Sequence, residues 1–319
     1  MEEIILKKPL IILTGPTAVG KTSLSLALAK AVNGEIISAD SMQVYKHMNI
    51  GSAKIKNSEM GEIPHHLIDV LEPSEQFNVV KFKQMAEEAM KIIYDNGHIP
   101  IITGGTGFYI QALLYDIDFT KNDMQSDYRK ELEALYQAHG ANYLHDMLEK
   151  VDPEAARMIH QNNVKRVIRA LEFYQLTNTR ISEHNKKERE KTSSYNFLYI
   201  VLNDEREKIY QQIDIRVDQM LKAGLIDEVV RLKEMGCTKE MISMQGLGYK
   251  EILSYLDGEY TLEEAVYILK RDTRHFAKRQ LTWFKRERDV FWLDKFKYEY
   301  SECKILDIIM GQLRERKII

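Results

Sequence analysis

The stretch LIILTGPTAVGKT, Leu10 to Thr22, decides how the rest of the chain is read. Its opening apolar run, Leu10–Thr14, suits a buried strand. The residues that follow, Gly15, Pro16, Thr17, Ala18, Val19, Gly20, Lys21 and Thr22, have the spacing G-x-x-x-x-G-K-[ST]. That spacing has a mechanical meaning. Glycines let backbone N–H groups turn inward around an anion, the lysine reaches terminal phosphates, and the threonine hydroxyl can hold Mg²⁺. Thr22–Ala31 has a helical pattern, so the positive end of a helix points at the same place. Strand, loop and helix in this order predict a phosphate cradle with Mg²⁺ at Thr22. The competing reading, a glycine turn that binds nothing, is disfavoured by the complete motif in its context.

Outward from the cradle, Glu35–Ser38 and Pro100–Thr103 read as further buried strands. Val79–Asn96 reads as an amphipathic helix with Val80, Phe82, Met85, Ala89, Ile92 and Ile93 on its apolar side. Strands alternating with helices predict a parallel sheet covered on both faces. From about Leu114 to Tyr195 the periodicity is helical, closed by the polar run Asn185–Ser194, which reads as an exposed linker. A strand returns at Asn196–Leu202. Beyond it the chain reads as nearly all helical: Arg206–Ala223, Leu225–Met235, Lys250–Leu256, Thr261–Arg286 and a last helix from about Ser301. The expected fold is α/β. A P-loop NTPase-like parallel-sheet core is built from residues 1–113 and 196–319, with an inserted all-helical domain at 114–195 and a helical C-terminal part.

Bulk properties set limits on this reading. The 319 residues are 44% hydrophobic and 29% charged with a net charge of −3, the balance of an ordinary globular protein. The two cysteines, Cys237 and Cys303, have no metal-type spacing, which fits a reducing compartment. No apolar run approaches the roughly 20 residues that cross a bilayer, and the first residues lack a signal-peptide layout. A cytoplasmic protein without a membrane partner is expected. No unexplained apolar helix face is evident, so a monomer is expected.

A nucleotide-hydrolysing enzyme also needs an acid at the end of a neighbouring strand. Pro100–Thr103 instead runs into Gly104-Gly105-Thr106-Gly107. The acid at a suitable strand end is Asp40, after Ile36-Ile37-Ser38-Ala39. A cradle without its hydrolytic partner favours an enzyme that grips a pyrophosphate as a leaving group. Strand carboxyl ends face the ligand crevice in a parallel sheet, which puts Asp40, Lys21 and Thr106 on one edge. Asp40 there either takes a proton from a substrate amine or hydroxyl, or caps a helix. Thr106 either donates to a phosphate oxygen or belongs to a flexible connection. His65 and His66 form a pair better suited to hydrogen bonding than to metal, because no further spaced ligands accompany them.

Cations are concentrated in one segment: Arg271, Arg274, Lys278, Arg279, Lys285, Arg286 and Arg288, with Phe276, Trp283 and Phe284 among them. Such clusters bind nucleic-acid backbones, or else form the solvated face of an amphipathic helix. A second patch, Lys165, Arg166 and Arg169, sits beside Val164, Val167, Ile168 and Leu171. Arg216, on a helix among Ile213, Val217 and Met220, meets either Asp214 and Asp218 or a ligand phosphate.

In order along the chain, GPTAVGKT, DSMQVY, HHLID, GGTGFY, VKRVIRALE, IDIRVDQML, QGLGYKE and KRQLTWFKR resemble the bacterial tRNA dimethylallyltransferase (tRNA isopentenyltransferase) family. The resemblance spans about Leu10 to Trp292. One departure is GSAKIK at Gly51–Lys56, where the family pattern is GTAKP. The resemblance implies transfer of the prenyl group of dimethylallyl diphosphate to the exocyclic amine of the adenosine 3′ of the anticodon, in tRNAs reading U-starting codons. It implies that Gly15–Thr22 hold the diphosphate, with Mg²⁺ at Thr22. Asp40 would be the general base, Thr106 would support the bridging oxygen, and Arg216 would contact the diphosphate. The implied contacts to the tRNA anticodon stem-loop are Asp40, Ser41, Met42, Gln43, Lys165, Arg166, Arg169, Gln245, Gly248, Tyr249, Lys250, Lys278, Arg279, Gln280, Thr282, Trp283 and Lys285. A P-loop small-molecule kinase leaves the basic segments unexplained, and a nucleotide-gated RNA-binding protein leaves Asp40 and Thr106 unexplained.

Overall fold

Six parallel strands form one sheet in the order β3-β2-β4-β1-β5-β6. The structure, a computed structural model, describes residues 7–119 and 127–319. The part of the expected helical insertion at 120–126 lies outside the described residues. In chain order the elements are β1 (Lys8–Thr14), α1 (Lys21–Val32), β2 (Gly34–Ala39), α2 (Asn57–Met60), β3 (His65–His66), α3 (Val79–Asp95), β4 (Ile99–Gly104) and α4 (Gly107–Leu114). Then come α5 (Asp127–Val151), α6 (Pro153–Met158), α7 (Val164–Thr177), α8 (Ile181–Glu190), β5 (Tyr195–Asn203), α9 (Arg206–Lys222) and α10 (Leu225–Glu234). The last are α11 (Tyr249–Leu256), α12 (Leu262–Phe284), β6 (Val290–Asp294) and α13 (Glu302–Glu315). The chain divides into two compact units, Met1–Leu114 with Ser194–Ile319, and Tyr115–Ser193.

In the sheet unit the apolar runs are buried on both faces, as a parallel sheet requires. Leu10, Ile11, Ile12 and Leu13 are wholly buried. On one side Leu24, Leu28, Ala29 and Val32 of α1 share a core with Ile305, Ile309 and Leu313 of α13. The apolar face of the last helix is therefore covered within the chain. Ser301 caps that helix by accepting from the Lys304 amide.

Three local expectations are corrected. On α3 the buried stripe is Phe82, Ala86, Ala89, Met90 and Ile93. Val80 and Ile92 fall off that stripe and are 37% and 53% exposed. The run at 185–194 is not a linker throughout, because α8 continues to Glu190 and β5 begins at Tyr195. Helix α8 has no buried residue, and its ends carry the ion pairs Arg180–Glu183 at 3.6 Å and Glu188–Lys191 at 2.8 Å. It therefore has no apolar periodicity to read. After Leu202 the chain is not all helical either: β6 pairs with Tyr199–Asn203.

The two histidines lie on β3, beside Ile36 and Ile37. His66 Nε2 and His98 Nδ1 each lie 2.6 Å from the carboxylate of the buried Glu35, and His65 Nδ1 lies 2.8 Å from the Ile63 carbonyl. Burial raises the Glu35 pKa. The hydrogen bonds from His66, His98 and Asn96 outweigh it and hold the carboxyl below its ordinary range.

The second unit is helical among its described residues. Its core joins Leu132, Leu144 and Leu148 to Val167, Ile168 and Leu171. Asp152 caps α6 through the Ala155 amide and also accepts from the amide and hydroxyl of Ser182. Buried Glu172 lies 2.5 Å from Arg129 and 3.6 Å from Arg169.

Because Ile309 is wholly buried against α1, Ile309→Ala should destabilise the sheet unit by about 2–5 kcal/mol. Urea unfolding followed by circular dichroism checks this. An unchanged midpoint would mean that α13 is not part of the core.

Candidate active site

Register places the site. Thr14 lies beside Gly104, and Gly104 beside Ala39, so the chain leaves β1, β4 and β2 at one level. The Gly15–Gly20 loop, Gly105 and Asp40 thus meet at one sheet edge. Two glycines make the loop possible. A Cβ at Gly15 would run into the backbone carbonyl of Leu202. Gly20, with φ 96°, starts α1 in the left-handed region and offers no side-chain cap. The first amides of α1 are therefore left for an anion. Ala18 sits at φ 64°, a strained conformation for a non-glycine residue.

A cleft at this edge is lined by Thr17, Ala18, Gly20, Lys21, Thr22, Ser38, Asp40, Gln43, Thr103, Gly104, Gly105, Arg216 and Gln280. Ser25, Ile36, Ser52, Ala53, Ile55, His65, Ile68 and Phe276 complete the lining. Among the described lining residues Asp40 is the single carboxylate. Its Oδ1 accepts from the Met42 amide at 2.8 Å, so Asp40 caps the following turn while facing the cleft. The capping contact and a place in the cleft lining coexist at Asp40.

The cations oppose it. Lys21 Nζ donates to the Gly15 and Pro16 carbonyls at 3.0 and 2.9 Å. Burial and then nearby Arg216 lower its pKa to about 7, against the opposing pull of Asp40. Arg216 is likewise pushed down by burial, with Asp40 opposing. The two acids that flank Arg216 in sequence are engaged elsewhere: Asp214 with Arg274 at 2.5 Å and Asp218 with Lys270 at 2.6 Å. The Arg216 guanidinium turns the other way and donates to Thr17 Oγ1 at 3.2 Å. Two cations beside one acid leave a surplus of positive charge, which suits a polyanion.

The donor set also fits Mg²⁺. Thr22 and Asp40 offer hard oxygens in the same cleft. Among the described residues no group of three or more His, Cys, Asp or Glu is placed to cage a metal. A Mg²⁺ ion held largely by phosphate oxygens and water needs only one or two such protein donors.

Other expected residues fall in different places. Thr106 is not among the cleft-lining residues. Its amide donates to the Ala39 carbonyl at 3.2 Å, and Thr103 lines the cleft instead. Tyr249 and Gly248 are buried. The Tyr249 hydroxyl donates to Glu228 at 2.8 Å and accepts from the Ser52 amide at 3.1 Å. Glu228 in turn accepts from the Asn49, Ile50 and Gly51 amides at 2.8–3.1 Å. This pair fixes the loop whose Ser52, Ala53 and Ile55 line the cleft, a role that sequence alone did not reveal. Gln280 is also buried and turned towards the loop. Trp283 packs on Phe108, ring centroids 5.9 Å apart, and its ring fills the space above Gly107. Met42 is packed over Gly246, while Gln245 is exposed. Lys250 lies 3.3 Å from Glu251. Lys278, Arg279 and Thr282 of α12 and its C-cap Lys285 are exposed. In the helical unit Lys165 and Arg166 are exposed, and Arg169 is drawn against Glu172.

Fold and cleft together define an α/β phosphate-binding protein of the P-loop class. A family model described as IPP transferase matches residues 43–287, and one described as isopentenyl transferase matches residues 8–72. A tRNA dimethylallyltransferase from Lachnoclostridium phytofermentans is 61% identical over 312 residues, covering 98% of this chain and 99% of the relative. The solved full-length tRNA isopentenylpyrophosphate transferase of Bacillus halodurans is 45% identical over 98% of each chain, with a TM-score of 0.72. A eukaryotic dimethylallyltransferase solved acting on tRNA is 32% identical, covering 90% of this chain and 74% of its own, with a TM-score of 0.77. The chain belongs to the tRNA dimethylallyltransferase (IPP transferase) family.

The Lys21 shift has a sign that can be measured. A polyanion beside the ammonium favours its protonated form. Above pH 7 binding therefore takes up a proton, and affinity falls as pH rises. Calorimetry of inorganic pyrophosphate binding at pH 8, in metal-free buffers of different ionisation enthalpy, should show more proton uptake for the wild type than for Lys21→Arg, which stays protonated. Equal uptake would place Lys21 away from the anion.

Proposed function

We propose that the protein transfers the dimethylallyl group of dimethylallyl diphosphate to the exocyclic amine of the adenosine immediately 3′ of the anticodon, in tRNAs reading U-starting codons. The observation that carries this reading is the cleft itself: Asp40 is its one described carboxylate, set against Lys21 and Arg216. An anion-gripping cradle with a base and no hydrolytic acid on β4 suits a diphosphate that leaves rather than one that is hydrolysed.

The adenine amine attacks C1 of the prenyl group, forming the N–C bond as the C1–O bond breaks. The electron pair of that bond leaves with the diphosphate. Asp40 accepts the proton that the amine loses, a contribution of roughly 10²–10⁴ in rate. Loop amides, Lys21 and Arg216 stabilise the charge that grows on the departing oxygens. Thr106 supports the bridging oxygen through the turn it shares with Gly105. Mg²⁺, held at Thr22 when bound, adds positive charge to the diphosphate. The apolar lining residues Ile36, Ile55, Ile68 and Phe276 suit the five-carbon chain. A stacked base is out of reach, so the adenosine flips out of the anticodon loop into the cleft.

The tRNA lies against exposed cations. Among the cations along α12 and at its C-cap, Lys270 and Arg274 pair with α9 and Arg271 with Asp272, whereas Lys278, Arg279 and Lys285 are exposed. Lys165 and Arg166 are likewise exposed in the helical unit. We place the protein in the cytoplasm as a monomer. Among the described residues no helix is long and apolar enough to cross a membrane.

Two variants test the assignment on unmodified tRNA with dimethylallyl diphosphate and Mg²⁺. Asp40→Ala should lower single-turnover prenylation about 10²–10⁴-fold with little change in tRNA affinity. Equal losses in both would make Asp40 a binding residue. Lys278→Ala should weaken tRNA binding and reduce the slope of log K against log salt by about 0.7–0.9. An unaltered slope would remove Lys278 from the interface.

A further inference from the structure

Gln280 stands on α12 among exposed residues, with Lys278 and Arg279 before it and Thr282 after, yet it is only 5% exposed itself. Its amide makes two hydrogen bonds, both to backbone. Oε1 accepts from the Thr17 N–H at 2.9 Å, and Nε2 donates to the Gly105 carbonyl at 3.0 Å. A peptide N–H can only donate and a carbonyl can only accept, so the amide has one possible orientation. One side chain thus ties the loop after β1 to the turn after β4.

The point of attachment matters. Thr17 immediately precedes Ala18, the loop residue held at φ 64°. A strained backbone keeps its shape only where its surroundings over-determine it. Thr17 is held twice, at its amide by Gln280 and at its hydroxyl by Arg216. The fit at the other end is equally close: a Cβ on Gly105 would collide with the Gln280 amide nitrogen.

We propose that Gln280 is a positioning residue for the diphosphate loop, acting on the bound anion through Thr17 and Gly105 and not through contact with RNA. Only the naming of the anion as a diphosphate rests on the prenyl-transfer reading.

The test is a double-mutant cycle on the full chain with Gln280→Ala, Gly105→Ala and the double variant. The readouts are inorganic pyrophosphate affinity by calorimetry, tRNA affinity by filter binding, and thermal midpoint. Each single variant should weaken pyrophosphate binding about tenfold and leave tRNA affinity within about twofold. The double variant should be no weaker than Gln280→Ala alone, because removing the amide makes room for the new methyl group. Gln280→Met, which keeps the volume, gives the same readout if Gln280→Ala melts below the assay temperature. Weakened tRNA binding with unchanged pyrophosphate affinity would overturn the proposal, as would independent, multiplying effects in the cycle. If the wild type binds pyrophosphate and prenylates tRNA while the variants match it, the clamp alone is wrong. If the wild type does neither, the functional reading fails first.

Discussion

The alignment of strand ends is the constraint on which everything else rests. Thr14, Gly104 and Ala39 stand side by side because β1, β4 and β2 pair in parallel with this register. A slip of one residue would turn each strand's buried set towards the opposite layer. It would also lift Asp40 or the glycine loop out of line with the other. Each strand is buried on both faces, so the register is fixed by packing and not by the site. The chemistry borrows a geometry that the core enforces.

Charge in the cleft is balanced in a way that follows from that placement. Lys21 and Arg216 are both pushed towards their neutral forms by burial, and Asp40 pulls both back. An anion between them would relieve the mutual repulsion of the two cations. The cleft is thus electrostatically complete only with a guest, which is the usual meaning of a preorganised anion site. The outer ion pairs, Asp214–Arg274 and Asp218–Lys270, matter to this arrangement. They occupy the acids that would otherwise compete for Arg216.

Legibility in the sequence followed the range of the interactions involved. The phosphate loop was readable because strand, glycines, lysine and helix are contiguous. Asp40 was readable from its place at a strand end, and Arg216 from its apolar helix neighbours. The two-residue β3 and the five-residue β6 carried too little pattern, and β6 follows a charged run that looks like a fraying helix. Helix α8 buries nothing and so left no period. The burial of Tyr249 and Gln280 was not readable, because their partners lie far away in the chain: Ser52 and Glu228 for Tyr249, Thr17 and Gly105 for Gln280. Thr106 stands at the turn after β4, where its amide donates to Ala39, a contact that no local pattern announces. Such assignments depend on which side chains meet across the fold, and no local periodicity records that.

The central strand has consequences for how the molecule is made. β1 is flanked by β4 on one side and by β5 on the other, and α1 is roofed by α13. A nascent chain emerging from the ribosome therefore holds its phosphate loop early but cannot close the layer around it until Tyr195–Asn203 and then Glu302–Glu315 have been synthesised. Until then α1 can pack only on Ile11, Ile36 and Ile101 of the earlier strands and lacks Ile305, Ile309 and Leu313. The helical unit at Tyr115–Ser193 has a core of its own, in which α5 packs on α7, and all of it is synthesised during that interval.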